Sequence, residues 1–257
     1  MAPDDDTRLD LEAVDASPPS PASPVGAPAG HADADVAMRL YERLAGFLAA
    51  HDRASAVRTA VEAVTSGAID IRGLYREVLS PLLVNAGYGW KRGKLAIWEQ
   101  HMASATVRTI VEILYPDVLE AKAAAPPSGR SVLLACPPEE GHDLGLRMVA
   151  DRFDMAGWTT FYLGPDTPVQ EIADAAGRLG VDAVVLSSST QVHRLGVRQA
   201  VDDLRLALPG VDLWVGGPAF VGAATGWLPQ EMLDLDALLG DGPDAAEGRA
   251  GEAAAET

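Results

Sequence analysis

Apolar positions along the chain follow two different rhythms. From residue 34 to about residue 120 they recur every three or four residues. Val36, Leu40, Leu44, Phe47 and Leu48 line one face of a helix in "DVAMRLYERLAGFLAAHD". "RASAVRTAVEAVTSG" predicts a second helix, closed by Gly67. "DIRGLYREVLSPLLVNAGYGWKRG" predicts a third, kinked at Pro81. "AIWEQHMASATVRTIVEILYPDVLEA" predicts a fourth that stops near Pro116. Four helices with short connections imply a bundle over 34–120, followed by a linker over 121–130 in "EAKAAAPPSGR".

From Ser131 the rhythm becomes short apolar runs alternating with amphipathic stretches. "SVLLAC", "TTFYLG", "VDAVVLSS" and "DLWVGG" predict strands, and "DLDALLGDG" is expected to supply a fifth. The stretches between them predict helices, with Gly157, Gly180 and Gly210 each closing one before the next strand. Strands that are apolar throughout, joined by helices, imply a parallel sheet covered on both faces. The expected architecture is α plus α/β: a four-helix bundle, then a five-stranded doubly wound, flavodoxin-like domain over 131–242. Such sheets bind ligands beyond the carboxyl ends of their strands.

Composition alters this picture mainly at the ends. The formal net charge is −17. Residues 1–35 hold eight acids against Arg8, and residues 241–257 hold five against Arg249, so the middle is only mildly acidic. Segments 1–33 and 243–257 are rich in Pro, Ala and acid, and are expected to be disordered tails. A net-acidic chain without a basic stripe argues against direct nucleic-acid binding. No apolar run reaches membrane-spanning length, no secretion signal opens the chain, and its one cysteine, Cys136, permits no internal disulfide. These features point to a cytoplasmic protein.

Candidate chemistry gathers at the expected binding edge of the sheet. The first strand runs into "CPPEEGHDLG", the third into "SSST" and the fourth into "GGPA". His142 lies in the first of these loops. Hydroxyls in the second and paired glycines in the third would let a long ligand lie close to the backbone. Neither GxGxxG after the first strand nor a GxxxxGK[ST] motif is present, which excludes the common nucleotide cradles.

Glu140-x-His142-x-x-Gly145, then Ser187-x-Ser189, then Gly216-Gly217, resembles the cobalamin-binding domain of methionine synthase and its relatives. The usual first residue there is Asp. The resemblance implies that His142 is the lower axial ligand of cobalt, with Glu140 accepting its other ring N–H. It also implies that the cofactor's displaced nucleotide tail threads beside Ser187, Ser189, Gly216 and Gly217, while Gly145 admits the corrin. A preceding helical bundle is similar to the cap of MerR-type cobalamin photoreceptor regulators and of methyltransferase corrinoid proteins. The photoreceptors carry Trp, nine residues, then Glu-His; here Trp90 is followed by nine residues and Gln100-His101. These three residues are thereby expected over the upper face of cobalt.

Three departures stand out. Gln100 replaces the acid, Lys91 follows Trp90 where some photoreceptors place a cobalt-capturing His, and the first 35 residues do not spell a winged helix. Trp98, by contrast, is expected in the core. The resemblance implies a cobalamin-binding regulatory protein that uses adenosylcobalamin as a light sensor, acts through a protein partner and is open to oligomerisation. The alternative it implies is a corrinoid carrier, loaded as methylcobalamin, that passes a methyl group between methyltransferases. No catalytic acid–base or nucleophile set stands beside the corrin site, so a self-sufficient enzyme is not expected.

Overall fold

The computed structural model describes residues 31–190, 194–220 and 231–240. The cap begins with α1 (His31–Ala49), so the helix already covers the last three residues of the expected tail; the rest of 1–33, and all of 243–257, lie outside the described residues. Leu40 and Leu44 of α1 are buried against α2 (Arg53–Thr65), which Asp52 caps by accepting from the Ser55 N–H at 3.0 Å.

The third helical stretch runs through α3 (Ile71–Gly73), a π-helical segment (Leu74–Leu79) and α4 (Ser80–Lys91). Pro81 sits in the first turn of α4, where a missing N–H is tolerated, and the widened π turn directly precedes it. Pro116 likewise starts a helix. The chain breaks at Leu114 between α5 (Ile97–Ile113) and α6 (Tyr115–Ala124), and α6 carries helix into the segment expected as linker.

The second region is a parallel sheet, β1 (Ser131–Ala135), β2 (Thr159–Gly164), β3 (Ala183–Ser187) and β4 (Asp212–Gly216), in the order β2-β1-β3-β4. It alternates with α7 (Leu144–Met155), α8 (Val169–Leu179) and α9 (Arg194–Ala207). Leu133, Val184, Leu186 and Val215 pack with Ile172, Val201 and Leu204 on one face. Val132, Leu134 and Val185 pack with Leu146, Phe153 and Trp158 on the other.

The stretch expected as a fifth strand differs. Residues Leu235–Leu239 form a short helix, α10, capped by Asp234 accepting from the Ala237 N–H at 3.0 Å. In "DLDALL" the leucines at 235, 238 and 239 fall on one helical face and pack against the sheet, so spacing and cap both select helix. Beside β4, among the described residues, Met232 makes a single parallel bridge to Val215.

Helix α7 fixes how the two regions sit together. Leu146, Ala150 and Phe153 face the sheet, whereas Leu144, Met148 and Met155 belong to the cap's core. A helix that would ordinarily show one side to water is therefore apolar on two. It starts two residues after His142, so the histidine's loop leads directly into the element shared by both regions. Among the described residues, no helix is long and apolar enough to cross a membrane.

Candidate functional site

Strand β1 ends in a loop held at several points. Cys136 N–H donates to Gly164 O at 2.8 Å, Thr167 N–H to Cys136 O at 2.9 Å, and Asp166 N–H to Glu140 O at 3.0 Å. Glu139 adopts a left-handed φ of 69° and donates its N–H to the Asp166 carboxylate at 2.8 Å. This turn directs Glu140 inward and His142 outward. Glu140 is 0% exposed, while the His142 side chain keeps 63% of its surface.

The buried Glu140 carboxylate is surrounded by donors. Oε1 lies 2.7 Å from His142 Nδ1 and accepts the His142 N–H at 3.0 Å. Oε2 accepts the Ser189 N–H at 2.7 Å and the Ser188 hydroxyl at 3.1 Å. The Ser189 hydroxyl reaches both oxygens and also lies 2.9 Å from His142 Nδ1. Burial would raise the Glu140 carboxyl, but hydrogen bonds from His142 and Ser189 outweigh it and hold the group well below the usual carboxylate range. The same bond raises the His142 imidazole above its ordinary value, against its partial burial and the nearby positive charge of Lys91.

The consequence is an oriented ring. Nδ1 faces a carboxylate and carries the hydrogen, so a neutral imidazole here presents the Nε2 lone pair outward, the arrangement that suits a metal ligand with an outer carboxylate partner. Among the described residues, no three His, Cys, Asp or Glu side chains gather into a metal-binding group. A metal at His142 would thus bring its other ligands with it, as a corrin-bound cobalt does.

The glycine loop shapes the neighbouring wall. Gly217 has φ +105°, and a Cβ there would lie 2.4 Å from Ser188 O. Only glycine permits this approach, which the Ser188 N–H, donating to Gly216 O at 3.0 Å, helps to hold. Ser187 ends β3 with its hydroxyl beside Gly217, and it is Ser188 and Ser189 that engage Glu140. Ser188 was not a sequence candidate. Its signal was only its place inside "SSST", one residue beyond the strand, where the pleat no longer fixes direction. Gly145, in the first turn of α7, faces open space where a Cβ would meet nothing within 4 Å. A buried carboxylate aimed at an exposed imidazole, a wall fitted to glycine and an open helix turn are compatible with the cobalamin group.

The cap approaches the same loop. Lys91, at the end of α4, lies close enough to His142 to oppose its protonation. Trp90, beside it, is 46% exposed. On α5, Gln100 donates to the Ser104 hydroxyl at 3.1 Å, and His101 is exposed. Trp98, expected in the core, is instead 51% exposed in the first turn of α5, with its ring 5.2 Å from that of His51. Helical periodicity does not specify whether a first turn is covered by its neighbours, and here about half of the Trp98 surface is left exposed. Glu99, also missed, secures the turn by accepting the Ala96 N–H at 2.7 Å.

Comparison with known proteins agrees with this layout. Residues 130–250 match the B12 binding domain, and residues 40–115 match a second family of the same description. The chain is 35% identical over 149 residues to the HTH-type transcriptional repressor CarH of Myxococcus xanthus, covering 56% of this chain and 47% of that protein. It is 30% identical over 151 residues to the repressor CarA of the same organism, covering 59% and 48%. The chain thus spans about half the length of the curated relatives it matches. The fold resembles that of the Methanosarcina barkeri monomethylamine corrinoid protein, with a TM-score of 0.65 and 17% identity over 77% of this chain and 91% of that one. These findings support cobalamin binding. Residues 40–115 and 130–250 thus form a pair of B12-binding domains, a helical one followed by an α/β one.

Proposed function

We propose that this chain is the cobalamin-binding module of a regulator, that its effector is adenosylcobalamin sensing light, and that its response passes to a protein partner. His142 would hold cobalt through Nε2. Glu140 keeps that ring in register, and Ser188 and Ser189 keep Glu140 ionised and in place. Ser187, Gly216 and Gly217 line the neighbouring wall. Trp90, Gln100 and His101 would contact the cofactor from the cap. Gln100 offers a neutral amide that can hydrogen-bond a ribose hydroxyl.

Adenosylcobalamin supplies, when bound, a cobalt–carbon bond that visible light breaks. What the protein contributes is a cap whose α4 ends at Lys91, close to His142, with Trp90 and His101 exposed and open to contact with a bound cofactor. A ligand shifts such an equilibrium only through contacts that differ between the two cap positions. The observation that carries the proposal is the buried Glu140 orienting His142, with Lys91 of the cap directly in its field.

The test is small-angle scattering and size-exclusion chromatography of the adenosylcobalamin complex in the dark and after illumination. Hydroxocobalamin, which has no light-sensitive alkyl group, is the control. A light-dependent change of shape or assembly confined to the adenosylcobalamin form is expected. Identical profiles in both forms would reject light sensing and favour a corrinoid carrier of methyl groups.

A further inference from the structure

Asp143 follows His142 and stands at the N-cap of α7, yet its side chain makes no capping hydrogen bond to that helix. Aspartate at this position ordinarily accepts from the first-turn N–H groups. Here both carboxylate oxygens point elsewhere. Oδ1 accepts from Arg108 of cap helix α5 at 2.6 Å, and Oδ2 accepts the Tyr162 hydroxyl of β2 at 3.0 Å. The Asp143 side chain is only 13% exposed. The residue after His142 is thus clamped between the cap on one side and the sheet on the other.

Arg108 also shares a helix with Gln100 and His101. Seven residues, about two turns, separate His101 from Arg108, which puts them on one face of α5 roughly 10 Å apart along its axis. The helix that presents His101 is therefore pinned, two turns on, to the residue beside the imidazole it would face.

We infer that Arg108 is a positioning residue of the cobalamin site: through Asp143 it sets the loop that carries His142 and registers α5 above it. The inference rests on the cobalamin reading above and extends it to a residue outside the matched loops. Cap position and ligand binding at His142 are then thermodynamically linked. A cap that swings away releases Asp143 and loosens the His142 loop, and a ligand that fixes His142 favours the docked cap by the same factor.

The test uses the full chain and the variants Arg108→Ala, Arg108→Lys and Arg53→Ala. Arg53 is the control, a cap arginine whose partner, the Thr109 hydroxyl at 2.7 Å, lies within the cap itself. Two readouts are taken: amide hydrogen exchange without cobalamin, and spectrophotometric titration with hydroxocobalamin. Arg108→Ala is expected to speed exchange at residues 138–144 while leaving β3 unchanged. It should also weaken hydroxocobalamin binding roughly three- to tenfold, by an amount that shrinks at high salt because Arg108 is half-exposed. Arg108→Lys should recover most of both effects, and Arg53→Ala should show neither. Unchanged exchange at 138–144, or faster exchange spread evenly over both regions, would overturn the inference. The exchange readout needs no cofactor, so a failure of cobalamin to bind through His142 would be seen separately.

Discussion

The Tyr75 hydroxyl of the cap donates to the Asp151 carboxylate of α7 at 3.0 Å, and both residues are buried. Arg147 completes the group. It bonds to Asp151 at 2.9 Å and lies 4.4 Å from the centre of the Tyr115 ring. On the same helix Asp154 receives Lys122 of α6 at 2.6 Å. Polar groups buried at a junction between two apolar faces fix its register, since sliding would leave them without partners.

Tyr75→Phe keeps the ring's packing and removes one donor from a buried carboxylate. It should destabilise the protein by about 1–3 kcal/mol. Urea unfolding measures this, and the β1–β3 core should unfold at a higher urea concentration than the cap in the variant.

The same carboxylate has a pH signature. Burial raises Asp151 above its ordinary value near 3.8, against the pull of Arg147 and Tyr75. A carboxyl that is harder to ionise in the folded state binds more protons folded than unfolded, so its contribution to stability falls as pH rises from about 3.8 through the raised value. The stability of the wild type relative to Asp151→Asn should therefore decline across that window. Thermal melts of both proteins at a series of pH values would show it, and a difference that grows with pH would contradict it.

Gly217→Ala tests the wall of the site. A methyl at 2.4 Å from Ser188 O, on a backbone with φ +105°, forces the Ser188–Ser189 turn to move. A loss of about 2 kcal/mol or more is expected. The turn supplies hydrogen bonds to Glu140, so binding of hydroxocobalamin should fall more steeply than stability does.

Two tryptophans separate core from surface. Trp158 is buried, edge-on to Phe153 with centroids 5.1 Å apart, and Trp158→Ala should cost about 3–5 kcal/mol. Trp98 is half-exposed, and Trp98→Ala should cost about 1 kcal/mol or less. Equal losses in calorimetry would show that Trp98 is packed as tightly as Trp158.

Most of the fold was legible because its signals are local. Apolar runs such as "VLLA" and "AVVL" became β1 and β3, and Gly180 closes α8 in the left-handed conformation its position suggested. The errors came where one pattern fits two outcomes. Pro81 reads as a kink, yet it sits in the first turn of α4; the stop read at Pro116 is met by the end of α5 at Ile113, but the proline also opens α6, since a first turn suits it equally well. "DLDALL" holds enough leucine for a strand, but its spacing and Asp cap suit a helix. At the site, His142 and Glu140 were legible as a pair, and the structure brings them together. Ser188, Asp143 and Arg108 were not, because their roles depend on which way a side chain turns and on a contact between residues 35 apart.

The central claim is that His142 ligates cobalt. Electron paramagnetic resonance of the cobalamin complex, reduced to its Co(II) state, tests it most directly. Nitrogen bound along the axis splits each cobalt line, into a triplet for ordinary nitrogen and a doublet for nitrogen-15. Protein grown with nitrogen-15 histidine should turn the triplet into a doublet, and His142→Ala should abolish the histidine-derived splitting. A triplet that ignores histidine labelling, or that persists unchanged in His142→Ala, would contradict the account.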